Sequence, residues 1–372
     1  MLSKVFRRTL VPAGILSSLI VGAGVFSLPY IFVRAGTVYG LLCLILFVLV
    51  MATTHSRYAE IIDKDGKDKR FIGYAEKHLG SRGRIAGLIF VVGGITFALA
   101  VYLSLAPSFF SLIFPSSMGM IAALLFWAIG SIMVFFGVKK AASAGTMLFI
   151  AMAAIILVLG GFSLIGGKTP DISSMSLFDP LNLILPFGPI LFSLSGRSAL
   201  SFIRDSYDDK DYSLKIFKKA IWIGTAVPAV LYIFFIYATI SLSSSGVTPD
   251  AISGLAGVPF GILATVGVLG LLATLTSYIF LGMEYVGILT KDVKVPYLPA
   301  CLILGVAPLA IYFFGTSDFI RLVGVTGGVF LAAESIMVVI MGQRLFGRRF
   351  ADFFLIAVFA VGMAYELLGF LR

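Results

Sequence analysis

Long apolar stretches, separated by short polar ones, fill most of the chain. A helix that crosses the hydrocarbon core of a bilayer needs about 20 mainly apolar residues. The pattern predicts eleven such helices, at 10–33, 36–59, 84–110, 120–138, 143–165, 182–203, 214–241, 258–289, 296–314, 319–342 and 350–370. The longest polar stretch, 63–84, is predicted to be a loop with a short amphipathic helix around 71–79.

The composition excludes several classes of protein. Hydrophobic residues make up 59% and charged residues 12% of the 372 residues, and the mean hydropathy is +1.07. Soluble domains average about 45–50% apolar and about 25% charged residues. We therefore expect an all-α polytopic membrane protein, surrounded by lipid bilayer and without a nucleic-acid partner. The two cysteines, Cys43 and Cys301, lie in apolar segments and imply no disulfide framework.

The positive charges fall mainly on one side of the predicted bundle. If the N-terminus is cytoplasmic, nearly all of the 28 Lys and Arg residues lie in cytoplasmic loops. The exceptions are Arg34, Lys168, Arg321 and Arg372 outside, and Arg197 within a segment. This asymmetry follows the positive-inside rule and accounts for the net charge of +10. It predicts a cytoplasmic N-terminus and an outside C-terminus, and the short termini favour a prokaryotic inner (plasma) membrane.

Small residues interrupt the first and the sixth segment near their middle, at Gly22-Ala23-Gly24 and at Ser193 to Ser198. Two glycines cost a helix about 1 kcal/mol each relative to alanine, which favours a break. Small residues also permit close helix packing, and Pro186 and Pro189 in the sixth segment can kink an ordinary helix, so these alternatives stay open.

The positions of the two interruptions favour an internal symmetry. The segments that contain them stand five helices apart and start on opposite sides of the membrane, as in inverted repeats built around a substrate site. The predicted transporter core is 1–342, with repeats at roughly 10–165 and 182–342. Residues 350–372 form one additional transmembrane helix.

Two broken helices offer complementary partners for a zwitterion. Unwinding the first frees N–H groups at the positive end of a half-helix, which favours a carboxylate. Carbonyl groups freed in the sixth accept hydrogen bonds from an ammonium group. The predicted substrate-binding residues are Gly22, Ala23, Gly24, Val25 and Phe26 in the first segment, Tyr102 in the third, and Phe192, Ser193, Ser195 and Gly196 in the sixth.

Two sequence motifs carry a resemblance to a known group of transporters. The run Val21-Gly22-Ala23-Gly24-Val25-Phe26-Ser27-Leu28-Pro29-Tyr30, followed by Ala35-Gly36, resembles the helix 1 signature of the amino acid/auxin permease branch of the APC superfamily. Phe192-Ser193-Leu194-Ser195-Gly196 and the loop Asp208-Asp209-Lys210 are similar to that branch and to aromatic amino acid permeases. The resemblance extends loosely over the first ten segments. It implies a LeuT-like fold of 5+5 inverted helices, amino acid transport with protons or sodium, and no cofactor beyond the coupling ion.

Arg197 departs from this resemblance, because many relatives have histidine after the glycine of helix 6. A charged side chain in mid-membrane costs at least about 2.5–3.5 kcal/mol on insertion scales, so a partner is expected. Arg197 is predicted to act in coupling or gating, as a gate, a carboxylate clamp or a fixed cation. The structural alternatives are an ion pair with Glu334 or Glu284, or a side chain that reaches the interface. Glu334 is predicted to carry a coupling proton or simply to neutralise Arg197.

The resemblance also bears on the coupling ion. Ala273-x-x-Thr276-Ser277 has the spacing with which sodium-coupled members of this fold present one carbonyl and two hydroxyl groups to Na⁺. By alignment, the carbonyl groups of Ser18 and Val21 complete the site. Residues 143–165 lack the lysine of some proton-coupled relatives, which slightly favours sodium. Hydroxyl side chains often hydrogen-bond within their own helix, so H⁺ remains the alternative.

These observations predict a secondary active amino acid transporter that works by alternating access. An intramembrane enzyme would need clustered His, Asp or Glu at mid-membrane, and a channel usually needs a symmetric oligomer or a charged ring. Neither pattern fits this chain, and His55 and His78 have no metal-ligand neighbour at a useful spacing. A non-transporting amino acid sensor on a transporter fold is the alternative from another class. The identity of the amino acid, the direction of flux and the oligomeric state stay open.

Overall fold

The computed structural model describes residues 6–66, 69–114, 119–137, 141–165, 176–207, 212–243, 246–255 and 257–370. Every regular element in these ranges is a helix, which confirms the all-helical fold class. The predictions made for Lys168, Arg372 and the loop 208–210 lie outside the described residues.

The helices of the described residues form units that we label α1 to α11 in chain order. The units without a break are α2 (Thr37–Asp65), α3 (Phe71–Ile113, kinked at Gly80), α4 (Gly119–Phe135), α5 (Ala141–Ile165), α7 (Leu214–Leu242), α8 (Phe260–Lys291) and α11 (Phe350–Phe370). The broken units are α1 (Val11–Ile20 and Leu28–Ala35) and α6 (Phe187–Ser193 and Arg197–Ser206). The units with π-helical turns are α9 (Tyr297–Ala310, then Ile311–Gly315) and α10 (Phe319–Val325, Thr326–Leu331, Ala332–Phe346).

Length and hydropathy agree with a membrane-spanning bundle. Within the described residues, seven helices are long and apolar enough to cross a membrane, or eight if the bent pair of α1 counts as one span. The two parts of α1 meet at 52°. The halves of α6 have 7 and 10 residues, so neither approaches the roughly 20 residues that a span needs. This is the result expected of a helix that is broken near mid-membrane.

The start of α6 differs from the predicted segment 182–203. A 3₁₀ turn, Pro180–Asn182, comes first, and the helix begins only at Phe187. Pro186 directly precedes the helix and Pro189 lies in its first turn, where a missing N–H removes no intrahelical hydrogen bond. The two prolines therefore start the helix and do not kink it.

α3 begins earlier than the predicted segment 84–110. The amphipathic helix expected around 71–79 is present, and a kink at Gly80 separates it from the apolar part of α3. Gly80 lies at the junction with a φ of 72°, a left-handed conformation that glycine adopts without steric cost. The polar loop after α2 is correspondingly shorter than predicted.

The broken helices lie inside the bundle. The first half of α1 packs against α7, and the first half of α6 packs against the π-helical part of α10. α3 runs along α8, and α11 covers part of α10. Residues at both breaks, among them Val21, Val25 and Leu194, have no exposed surface. The division into repeats 10–165 and 182–342, with 350–372 as an added helix, stays a prediction.

α1 and α6 touch through their backbones at Gly24. A Cβ atom added there would lie 2.5 Å from Oγ of Ser193 and 2.7 Å from its Cα. A Cβ atom added at Gly22 would meet nothing closer than the Tyr102 hydroxyl oxygen, at 3.8 Å. The crossing therefore requires glycine at position 24 but not at position 22.

Gly24→Ala is expected to lower the free energy of unfolding by about 1–3 kcal/mol, the usual cost of overpacking a close-packed core. Thermal unfolding in detergent measures the loss. Gly14→Ala in the first half of α1 is the matched control, because an added Cβ there has no atom within 4 Å. Equal melting temperatures for the two variants would contradict the close crossing of α1 and α6.

Candidate functional site

The break in α1 exposes backbone groups in the middle of the bundle. The first half ends at Ile20, Gly22 is extended with a φ of −140° and a ψ of −157°, and a 3₁₀ turn covers Ala23–Ser27. Gly22 caps this turn without a side-chain hydrogen bond, so the first N–H groups that follow have no intrahelical partner. Pro29 lies at the start of the second half, where proline is well tolerated. The sequence thus stops one helix and starts the next within a few residues.

The break in α6 has the same form. Its first half ends at Ser193, and Gly196 directly precedes the second half. The N–H of Gly196 donates to Nε2 of His55 in α2, at 3.3 Å. The Ser193 hydroxyl donates back to the carbonyl of Pro189 at 2.7 Å. One donor freed by the break is therefore satisfied by a neighbouring helix.

Tyr232 of α7 joins the two breaks. Its buried hydroxyl group lies 3.0 Å from the carbonyl oxygen of Ile20 and 2.8 Å from that of Ser193. These carbonyl groups end the first halves of α1 and α6, where helices carry their negative dipole ends. The single hydroxyl proton is shared between both acceptors, so one side chain stabilises two helix ends.

A cavity of about 100 Å³ lies between the two breaks. α1, α3, α6, α8 and α10 all contribute to its wall. The residues that line it are Leu19, Ile20, Gly22, Ala23, Gly24, Gly94, Ile95, Ala98, Tyr102, Phe192, Ser195, Arg197, Ser198, Thr276, Ser277, Phe280, Leu281, Glu284, Thr326, Leu331 and Glu334. Residues of both helix breaks and charged side chains thus line the same cavity.

Most of the predicted substrate-binding residues line this cavity: Gly22, Ala23, Gly24, Tyr102, Phe192 and Ser195. The others, Val25, Phe26, Ser193 and Gly196, lie behind its wall. Phe26 is fully buried and packs edge-on against Phe109 and Phe235. A Cβ atom added at Gly196 would lie 2.7 Å from Cγ1 of Ile20, so this glycine allows close packing of α6 on α1.

The residues predicted to hold sodium are divided between the cavity and the helices behind it. Thr276 and Ser277 line the cavity, and Ser277 lies beside the Gly22 break. Ser18, Val21 and Ala273 are buried. The hydroxyl groups of Ser18 and Thr276 each donate to a carbonyl of their own helix at 2.7 Å, which leaves their lone pairs available to a cation. The sodium site stays a prediction.

Arg197 is held by ion pairs inside the bundle. Its Nε atom donates to Oε2 of Glu334 at 2.6 Å, and its Nη2 atom lies 3.9 Å from Oε1 of Glu284. Its guanidinium group also lies over the ring of Phe71, 4.4 Å from the centroid. Both carboxylates named from the sequence as structural partners therefore approach Arg197, with Glu334 much the closer.

Sequence reasoning missed two residues of the site, His55 and Tyr232. α2 was predicted to end at 59 but continues to Asp65, so His55 lies more than two turns before the end of the helix and not next to a loop. His55 is 1% exposed, whereas His78 lies in the amphipathic part of α3, with Nε2 2.5 Å from Oδ2 of Asp65. Tyr232 lies in an apolar stretch with no local signal, because its partners are distant in sequence.

A second, wider cavity of about 710 Å³ lies next to the first. Arg197, Ser198, Phe280 and Glu284 line both cavities. The wider cavity, which we call the vestibule, lies between α3, α6 and α8, at the end of the molecule that carries the α2–α3 and α8–α9 loops. Asp292 lies at its rim, where burial raises the pKa of the carboxyl group although Arg84 opposes the shift.

Three solved structures match 96% of this chain. MhsT in complex with L-phenylalanine has a TM-score of 0.66 at 18% identity, with 97% of its own chain covered. Mhp1, a nucleobase-cation-symport-1 family transporter, gives 0.61 at 12% identity in a closed conformation with bromovinylhydantoin bound, with 90% covered. The inward-facing conformation of Mhp1 has a TM-score of 0.62 at 14% identity, with 88% of its own chain covered. These likenesses show that the fold is LeuT-like.

The sequence comparison identifies the family. The profile of the tryptophan/tyrosine permease family matches residues 7–254, about two thirds of the chain and including both broken helices. The chain therefore belongs to the tryptophan/tyrosine permease family. A comparison with curated protein sequences gives no match. The narrower placement in the amino acid/auxin permease branch stays a prediction.

Tyr232→Phe is expected to lower the free energy of unfolding by about 1–3 kcal/mol, because two buried carbonyl groups lose their shared donor. Thermal unfolding in detergent measures this effect. Tyr365→Phe in α11 is the control, since Tyr365 is 39% exposed. The same melting temperature for both variants would rule out the bridge between the helix ends.

Neutralising Arg197 is expected to cost about 3–5 kcal/mol of stability, because two carboxylates then face each other without a cation. Glu334→Gln costs less, since Arg197 keeps Glu284. In a double-mutant cycle, Arg197→Gln combined with Glu334→Gln should cost less than the sum of the single variants. Chemical denaturation of all four proteins gives the coupling free energy, and strictly additive effects would contradict the ion pair.

Proposed function

We propose that this protein is an ion-coupled symporter of amino acids with a preference for aromatic side chains. The observation that carries the proposal is the cavity into which both helix breaks open. N–H groups at the start of a half-helix favour a carboxylate, and carbonyl groups at the end of one favour an ammonium group. A zwitterion is the small molecule that uses both.

The aromatic preference has separate support. Tyr102, Phe192 and Phe280 line the cavity and offer ring faces and edges to a substrate ring. The family is named for tryptophan and tyrosine, and MhsT was solved with L-phenylalanine.

The distribution of charge supports an orientation. The vestibule lies at the end that carries the basic loops between α2 and α3 and between α8 and α9. The positive-inside rule assigns that end to the cytoplasm of a plasma membrane, with the N-terminus inside and the C-terminus outside. In this orientation the vestibule lies between the cavity and the cytoplasm, which is the arrangement expected of the inward-facing state in alternating access.

The proton is our first candidate for the coupling ion. Two carboxylates, Glu284 and Glu334, line the cavity beside a single arginine, and a carboxylate can take up and release a proton. Na⁺ is the second candidate, supported by the hydroxyl groups of Thr276 and Ser277 next to the Gly22 break.

Uptake into proteoliposomes tests the function. Radiolabelled phenylalanine, tyrosine, tryptophan and alanine are offered separately under a pH gradient and under a Na⁺ gradient. We expect saturable accumulation of the aromatic amino acids, driven by the pH gradient. Accumulation that needs Na⁺ and is lost in Thr276→Ala/Ser277→Ala would select the second candidate. Binding without flux would favour a sensor, and neither binding nor flux would overturn the proposal.

A further inference from the structure

The ion group in the cavity contains more negative than positive charge. Arg197 supplies one positive charge, whereas Glu284 and Glu334 supply two carboxylates. The three side chains are 14%, 16% and 5% exposed, in that order. Net charge in a poorly solvated interior is costly unless it is neutralised. The group becomes neutral when one of its carboxylates binds a proton.

The two carboxylates are not equivalent. Glu334 is hydrogen-bonded to Arg197 at 2.6 Å, whereas Glu284 lies 3.9 Å from it, near the limit of an ion pair. α3 packs closely on Glu334, because a Cβ atom added at Gly94 would lie 3.5 Å from its Oε1. Glu284 lines both the cavity and the vestibule, and Glu334 lines only the first of these two. Glu334 is therefore the fixed partner, and Glu284 is the carboxylate that can exchange with solvent.

Other titratable groups approach the ion group from the neighbouring helices. They are His55 and Tyr58 of α2, Lys69, Arg70, Glu76 and Lys77 at the start of α3, and Lys291 and Asp292 at the end of α8. Arg70 is paired with Asp205 at 2.9 Å and Lys77 with Asp65 at 2.6 Å. Among the described residues, Arg197 is the cation within ion-pair distance of Glu284.

We propose that Glu284 binds and releases the coupling proton, while Arg197 and Glu334 remain paired. The inference rests on the proposed function, since a coupling proton exists only in a symporter. With the vestibule closed, a protonated Glu284 makes the ion group neutral. When the vestibule opens, water reaches the carboxyl group, Arg197 stabilises the carboxylate, and the proton passes to the water. One proton taken up outside is thus released inside for each transport cycle.

Glu284→Gln tests this assignment, because glutamine resembles the protonated acid and cannot release a proton. One pH unit drives about tenfold accumulation per coupled proton in the wild-type protein. Glu284→Gln is expected to abolish this accumulation. It is expected to keep exchange of labelled for unlabelled amino acid across the membrane, which needs no net proton movement. Glu284→Asp should restore accumulation driven by the pH gradient.

Glu366→Gln is the matched control. This α11 carboxylate packs against Gly324, with Oε2 3.2 Å from a Cβ atom added there, and it lines neither cavity. We expect its accumulation to equal that of the wild-type protein. Accumulation driven by the pH gradient in Glu284→Gln would overturn the assignment. Loss of both exchange and amino acid binding in folded Glu284→Gln would make Glu284 a substrate ligand and would also overturn it.

Transport measurements on the wild-type protein distinguish a failure of the Glu284 assignment from a failure of the proposed symport function. Accumulation that is driven by Na⁺ and not by the pH gradient would overturn the role of Glu284 as the site of the coupling proton. It would still support amino acid symport. Absence of both binding and flux under every gradient would remove the symport function itself. Either result is obtained before any variant is made.

Discussion

The site depends on the backbone contact between α1 and α6. At Gly24 the two helices approach so closely that a methyl group would overlap Ser193. Such proximity is compatible with a bilayer interior only if the backbone groups freed by the breaks find partners. The Tyr232 hydroxyl group donates a hydrogen bond that is shared by the carbonyl groups at the ends of both half-helices, and Nε2 of His55 accepts a hydrogen bond from the N–H of Gly196. Gly22, Ala23, Gly24 and Ser195 of the two breaks line the cavity, so the breaks that interrupt the helices also contribute to the wall of the site.

The charged residues follow a similar logic. Arg197 begins the second half of α6, directly after the break, and points toward carboxylates from α8 and α10. A cation placed there without partners would cost at least about 2.5–3.5 kcal/mol. Glu284 and Glu334 together carry one more negative charge than Arg197 neutralises. Glu284, the more distant of the two carboxylates, lines both the cavity and the vestibule. Stability therefore requires Arg197 to be paired. The second carboxylate, Glu284, can be protonated or deprotonated when water reaches it from the vestibule.

Much of this architecture follows from sequence, because its determinants are local. A run of about 20 apolar residues identifies a span, and Gly22-Ala23-Gly24 identifies the break in α1. Six of the ten predicted substrate-binding residues line the cavity for the same reason. The end of α2 and the start of α6 were misplaced, since polar residues continue one helix and prolines begin the other. Tyr232 and His55 were not found, because their partners come from other helices.

The last helix shows the same division between local and distant information. Hydropathy alone predicts a span at 350–370, but the ion pairs at its start involve residues that are distant in sequence. Glu60 of α2 binds Lys218 of α7, Arg57 and Arg349, while Arg57 also binds Asp352 of α11. These pairs join α2, α7 and α11 at the end of the bundle where the vestibule opens between α3, α6 and α8. Ion pairs thus connect α2, α7 and α11 at the same end of the bundle at which α3, α6 and α8 line the vestibule. The sequence shows the apolar segment of α11, but the pairing of its first residues with α2 appears only in the folded chain.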